Sequence, residues 1–141
     1  MESENMNLRE VMVDYGLRFV GKPYIWGGSG VTGFDCSGLV QECLAAVGLG
    51  PKGDQTANGL RIAFKSKTVH APDIGVIAFF GTKELATHVA LCIGNGLMLE
   101  AGGGGKSCVD IKSANNLGAM VRVRALTNRN DLICFCDPFI V

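Results

Sequence analysis

Neither sign of charge is in excess in this chain: 13 Lys+Arg stand against 13 Asp+Glu. A protein that displaces counterions from a nucleic acid needs surplus positive charge, so the balance argues against a nucleic-acid partner. Long apolar runs are missing as well. None approaches the ~20 residues needed to span a bilayer, so membrane insertion is not expected. The opening residues Met1-Glu2-Ser3-Glu4-Asn5 are polar and acidic. A secretory signal would begin basic and turn apolar, so the expectation is a chain without a signal peptide, cytoplasmic at synthesis. Among the 6 cysteines there is no CxxC pair, which leaves a structural zinc site without support, and no metal is expected.

What is present is apolar material. Hydrophobic residues make up 48% of the chain and mean hydropathy is +0.27, which excludes intrinsic disorder. A chain of 141 residues is one domain by size, and it buries roughly 68–70% of its unfolded surface without disulfide staples. The expected domain is therefore the whole of 1–141. Cys43, Cys92, Cys108, Cys134 and Cys136 read as small buried hydrophobes. Cys134 and Cys136 lie two apart in a strand-like run, on one face but poorly disposed to bridge each other.

Along the chain, Leu8, Val11, Tyr15 and Phe19 form one stripe of a helix over residues 8–20, with Asn7 and Glu10 at its start. A second helix is expected from Cys36 to Val47, presenting Leu39, Val40, Cys43 and Leu44, with Asp35 as N-cap and Gly48 as terminator. A short helical segment follows near residues 59–65. Strands then read at Val76–Phe80, Val89–Ile93, Leu97–Leu99, Val121–Arg124 and Leu132–Phe135. Helices first and strands afterwards predict an α+β fold, with N-terminal helices packed on a C-terminal antiparallel sheet.

Gly28-Ser29-Gly30-Val31-Thr32-Gly33 fits a dinucleotide-binding pattern. That reading needs a buried strand immediately before it, and Lys22-Pro23-Tyr24-Ile25-Trp26 is a poor one. A stronger signal is Asp35-Cys36-Ser37-Gly38 at a loop-to-helix junction. The positive end of a helix dipole favours thiolate at Cys36, and the free N–H groups there suit an oxyanion. The bland alternative is a buried helix cysteine. The chain has 2 histidines. His70, in a polar connection, reads as a surface residue. His88, directly before an apolar strand, is placed to accept a thiol proton, or is simply a strand-end histidine.

The hairpin around Gly94-Asn95-Gly96 decides whether an acid joins them. A two-residue turn at Asn95-Gly96 puts Glu100 on the face opposite His88. A three-residue loop pairs Ala90 with Glu100 and His88 with Gly102, so that His88 and Glu100 share a face as diagonal neighbours roughly 7–8 Å apart. The three-residue register also gathers Val89, Leu91, Ile93, Leu97 and Leu99 on one apolar face, and is the expected one. A solvent-facing Glu100 would tolerate substitution without loss of stability. The glycines at 102–105 read as a flexible loop or the rim of a cleft.

Taken together and in order, these residues resemble the NlpC-type cell-wall cysteine peptidases, which have a compact papain-like fold. The likeness rests on Tyr24-Ile25-Trp26-Gly27-Gly28 leading to Phe34-Asp35-Cys36-Ser37-Gly38-Leu39-Val40, then Thr87-His88-Val89-Ala90-Leu91, and finally Leu99-Glu100-Ala101. It implies Cys36 as nucleophile, His88 as general base and Glu100 as the orienting third group. It also implies a place for the Tyr24 hydroxyl near the nucleophile. Asp35 and Ser37 match positions that hold the free amino end of a stem peptide in some members. The implied reaction is cleavage of an amide in peptidoglycan stem peptides, often between D-glutamate and the diamino acid, without a cofactor. Two departures stand out: the third position is more often histidine, and the usual Pro-Gly-Asp turn is rearranged as Pro72-Asp73-Ile74-Gly75-Val76. The partner expected is peptidoglycan or its fragments. A phage lysin or virion-associated tail component would reach the wall without a signal of its own. The competing class is a catalytically silent papain-like binding or structural domain, for example in a phage tail, with assembly partners instead of a substrate.

Overall fold

The computed structural model describes residues 7–28 and 33–141. Three helices come first: α1 (Leu8–Leu17), α2 (Cys36–Ala46) and α3 (Ala57–Ala63). The strands follow as β1 (Thr68–Val69), β2 (Ile77–Gly81), β3 (Ala86–Gly94) and β4 (Leu97–Gly102), then helix α4 (Ile111–Leu117), β5 (Met120–Ala125) and β6 (Leu132–Cys136). The sheet order is β1-β6-β2-β3-β4-β5 with every neighbouring pair antiparallel. This is the α+β arrangement expected from helices preceding strands.

Side chains alternate across β3 and β4, and both faces of the sheet are apolar. On one face Val89, Leu91 and Leu99 meet Met12 of α1 and Leu39, Cys43 and Leu44 of α2. Leu39, Leu44, Leu91 and Leu99 are at most 1% exposed, and such burial contributes about 1.5–3 kcal/mol per side chain. On the other face Ala78, Phe80, Ala90, Cys92 and Met98 form a second cluster, closed by Val69, Leu126 and Phe135. Two buried faces explain why Val89–Ile93 reads as an unbroken apolar run.

The buried face of α1 differs from the expected stripe. Met12, Val13 and Gly16 are buried, while Leu8 is exposed and Tyr15 and Phe19 are half-buried. Gly16 explains the rotation. A Cβ there would lie 2.8 Å from Leu99 Cδ2 and 2.9 Å from Cys43 Sγ, so the helix approaches the sheet through its glycine. Phe19 instead packs edge-on against Phe34, with ring centroids 4.9 Å apart. Helix α4 was not expected from the sequence. Its residues are mostly polar and only Ala114 is buried, so no apolar periodicity announces it. Its ends do: Asp110 Oδ1 accepts from Ser113 N at 2.8 Å, and Gly118 closes it with φ 64°.

The hairpin combines the two alternatives. The turn has two residues, Asn95 (φ 56°) and Gly96 (φ 72°), both left-handed as a tight hairpin turn requires. Gly94 pairs with Leu97, yet Cys92 pairs with Met98 and Leu91 with Leu99. Ile93 is the extra residue, a bulge that shifts the register by one. Below it the strands run in the register of the three-residue loop, so the loop length was misjudged and the register was not.

Candidate active site

Cys36 is the first residue of α2, and its surroundings follow from the cap before it. Asp35 is extended, with φ −87° and ψ −178°. Its Oδ1 accepts from Gly38 N at 2.7 Å and from Ser37 Oγ at 3.3 Å, and its Oδ2 accepts from Gly27 N at 3.1 Å. A side-chain cap of this kind stabilises a helix by about 1 kcal/mol. The N–H groups of Cys36 and Ser37 are left over by the cap, and both face the Cys36 sulfur. A third N–H comes from Val89 of β3. Val89 lies two residues past the last β3–β4 pair, Leu91 with Leu99, and there its N–H meets sulfur.

The resting thiol is not the thiolate that the helix start suggested. Burial pushes Cys36 up to about 11; the Val89, Ser37 and Cys36 N–H groups oppose that, and the neighbouring Asp35 carboxylate adds to it. The capping carboxylate offsets the positive helix end that was expected to lower it. Burial also raises Asp35, against the hydrogen bonds from Gly38, Gly27 and Ser37.

His88 is the third residue of β3, inside the strand instead of directly before it. It pairs across the sheet with Phe80, and the two rings lie 5.7 Å apart. His88 Nε2 and Glu100 Oε1 are 2.7 Å apart. This leaves Nδ1 as the ring nitrogen not engaged by Glu100. No hydrogen bond joins Cys36 to His88 among the described residues.

Glu100 is 1% exposed. Its second oxygen, Oε2, accepts from Arg122 Nε at 3.0 Å and Arg124 Nη1 at 3.4 Å. Burial pushes the carboxyl up, but the hydrogen bond and charge of His88, then those of Arg122, outweigh it and hold it down at about 2. Glu100 is therefore not solvent-facing, and the tolerance to substitution that depended on exposure does not apply. Arg122 and Arg124 were missed by sequence reasoning. Alternation along Val121-Arg122-Val123-Arg124 already put both on one face, but nothing in the sequence said that β5 pairs with β4.

Tyr24 is buried, its carbonyl accepting from Cys108 Sγ at 3.1 Å. Burial raises its hydroxyl, and the nearby Cys36 and Asp35 raise it further, so the ring lies at the Cys36 end of α2. Gly104 packs on that ring, where a Cβ would come within 2.3 Å of Cδ1. A groove of about 540 Å³ runs beside α2, with Gly38, Gln41, Glu42 and Asp54 in its walls. His70 is exposed. Residues 29–32 of the glycine pattern lie outside the described residues, and Pro23 and Tyr24 before them form only isolated bridges, with Met120 and Phe34. Cys43, Cys92, Cys108 and Cys136 are buried, Cys134 is half-buried, and all are free thiols.

Comparison with known proteins agrees with this architecture. CwlT of Bacillus subtilis, a bifunctional muramidase/DL-endopeptidase, is 38% identical over 113 residues, covering 77% of this chain and 34% of its own. A gamma-D-glutamyl-L-lysine dipeptidyl-peptidase of the same organism is 34% identical over 108 residues, covering 74% of this chain and 36% of its own. The chain thus spans about a third of the length of these curated relatives. The structure of RipD from Mycobacterium tuberculosis, described as a non-catalytic NlpC/p60 domain protein, superposes with a TM-score of 0.71 at 24% identity, covering 96% of this chain and 100% of that one. The NlpC/P60 family model matches residues 21–125, the stretch that carries the Asp35 cap, Cys36, His88 and Glu100, and the chain belongs to the NlpC/P60 family.

Proposed function

We propose that this chain is a cysteine hydrolase that cuts an amide bond in peptidoglycan stem peptides through Cys36, His88 and Glu100. The observation that carries the reading is the meeting of three elements. The start of α2 and the Val89 N–H bracket the Cys36 sulfur, and Glu100 holds His88 by Nε2 one residue away. The relatives named as a DL-endopeptidase and a gamma-D-glutamyl-L-lysine dipeptidyl-peptidase support the substrate class.

The chemistry follows from the proton positions. With Nε2–H donated to Glu100, Nδ1 is an acceptor. A thiol held up at about 11 gives its proton to Nδ1 as the sulfur attacks the amide carbon. The carbonyl oxygen becomes an oxyanion, held by the Cys36 and Ser37 N–H groups. Collapse breaks the C–N bond. The leaving amine takes the proton from His88, and a thioester remains on Cys36. Water, deprotonated by Nδ1, attacks the thioester, releases the carboxylic acid and returns the thiol. No cofactor enters these steps. Glu42 and Asp54 in its walls make the groove beside α2 acidic, which suits the free amino end of a stem peptide. The buried Tyr24 hydroxyl is near enough to feel the charges of Cys36 and Asp35.

A defined stem peptide containing a γ-D-glutamyl–diamino acid bond tests the reading. The expected digest shows two fragments by mass spectrometry, one gaining the elements of water at that bond. A peptide left intact at enzyme concentrations near its own would sink the proposal. The competing reading, a silent binding or structural domain such as a phage tail component, draws on the missing hydrogen bond between Cys36 and His88. That reading expects retention of peptidoglycan without fragments.

A further inference from the structure

Glu100 has two oxygens, and each is committed. Oε1 meets His88 Nε2 and Oε2 meets the arginines. Arg122 stands directly opposite Glu100 in the β4–β5 register and bonds it through Nε at 3.0 Å. The glycines after Glu100 make room for this pair. A Cβ on Gly102 would lie 3.1 Å from Arg122 Nη2 and 3.2 Å from Glu100 Oε2, and one on Gly103 would lie 3.3 Å from Arg122 Nη1. The glycine tract is therefore packed around the guanidinium at its near end. The other charged groups nearby are Arg124 on β5, at 3.4 Å from Oε2, and Arg129 over the ring of Phe80, at 5.1 Å from its centroid. Arg129 is itself paired with Asp131 at 2.8 Å.

We propose that Arg122 is a positioning residue, fixing the Glu100 carboxylate so that Oε1 accepts from His88 Nε2 and Nδ1 stays free to take the thiol proton. The terminal torsion of a glutamate is soft, and one hydrogen bond to His88 does not fix it. Without a counter-charge, a buried carboxylate takes up a proton. The protonated acid would donate to Nε2, leaving the proton on Nδ1, and that tautomer cannot accept from Cys36. Arg122 blocks this inversion by holding Oε2 and keeping the acid ionised. The inference rests on the hydrolase reading for its kinetic consequence but not for its structural one.

The test compares Arg122→Met, Arg122→Lys and Arg124→Met with the parent chain. In Arg122→Met, kcat falls on the order of 10- to 100-fold while KM stays within about threefold, the loss expected of a misaligned base. Arg122→Lys recovers part of it, and Arg124→Met changes less. Nitrogen-15 NMR of His88 reads the tautomer directly: Nε2–H in the parent, shifted toward Nδ1–H in an Arg122→Met protein that circular dichroism shows to be folded. If Arg122→Met does not fold, Arg122→Lys decides by the same signal. A folded variant with the parent's kcat and tautomer overturns the proposal. If the parent itself turns over no peptide, the hydrolase reading fails, and the His88 signal alone decides the positioning claim.

Discussion

Cys36→Ala loses stem-peptide turnover by roughly four orders of magnitude or more, because removing the nucleophile of an interdependent set leaves only substrate binding. Its fold survives. Cys36 is half-buried at a helix start, and the Asp35 cap does not involve its side chain. The melting temperature should stay within about 3 °C of the parent. Circular dichroism beside a digest assay checks both halves, and a Cys36→Ala protein that still cuts at the parent's rate removes Cys36 from the chemistry.

Glu100→Ala has the second-largest effect, and it acts on stability as well as rate. The substitution leaves His88 Nε2 and two guanidinium groups facing a hole, and unpartnered buried polar groups cost about 1–3 kcal/mol. Loss of the orienting acid lowers turnover by about two to four orders of magnitude. Glu100→Gln retains more activity, since an amide oxygen still accepts from His88, but its NH2 then faces Arg122, so part of the stability loss remains. Acid reproduces the effect in the parent chain. The folded Glu100 value lies near 2, below the usual 4.5. Its contribution is therefore complete above about 4.5 and disappears as pH falls toward 2. Urea unfolding of parent and Glu100→Gln should show a stability gap at pH 7 that narrows through that window. A gap that does not change with pH would mean that the charge on Glu100 is not what stabilises the site.

The parts of the site that were legible in the sequence are local ones. Asp35 before Cys36 announces a capped helix, and the apolar runs announce the strands. Features set by tertiary packing were not legible. The apolar stripe on α1 pointed to Leu8 and Phe19, but Gly16 decides which face meets the sheet. The hairpin hid a bulge at Ile93, because bulge and loop length compensate each other in the register. The resting state of Cys36 was misjudged because the dipole argument ignored burial and the charge of the cap itself. Arg122 and Arg124 were visible as residues, but their meaning depends on β5 lying beside β4. That pairing spans a helix and a glycine tract, and no local pattern fixes it. The burial of Glu100 follows from the same pairing, so its weight in stability was hidden with it.

The central claim is that a thioester forms on Cys36 during amide cleavage. Acid-quenching the parent chain in mid-turnover with a defined stem peptide, followed by peptide mapping in a mass spectrometer, tests it most directly. The account predicts that the peptide carrying Cys36 gains the mass of the released acid fragment less water, and that the adduct disappears when turnover is complete. Cleavage with no adduct on Cys36, or with the adduct on another thiol, would contradict it.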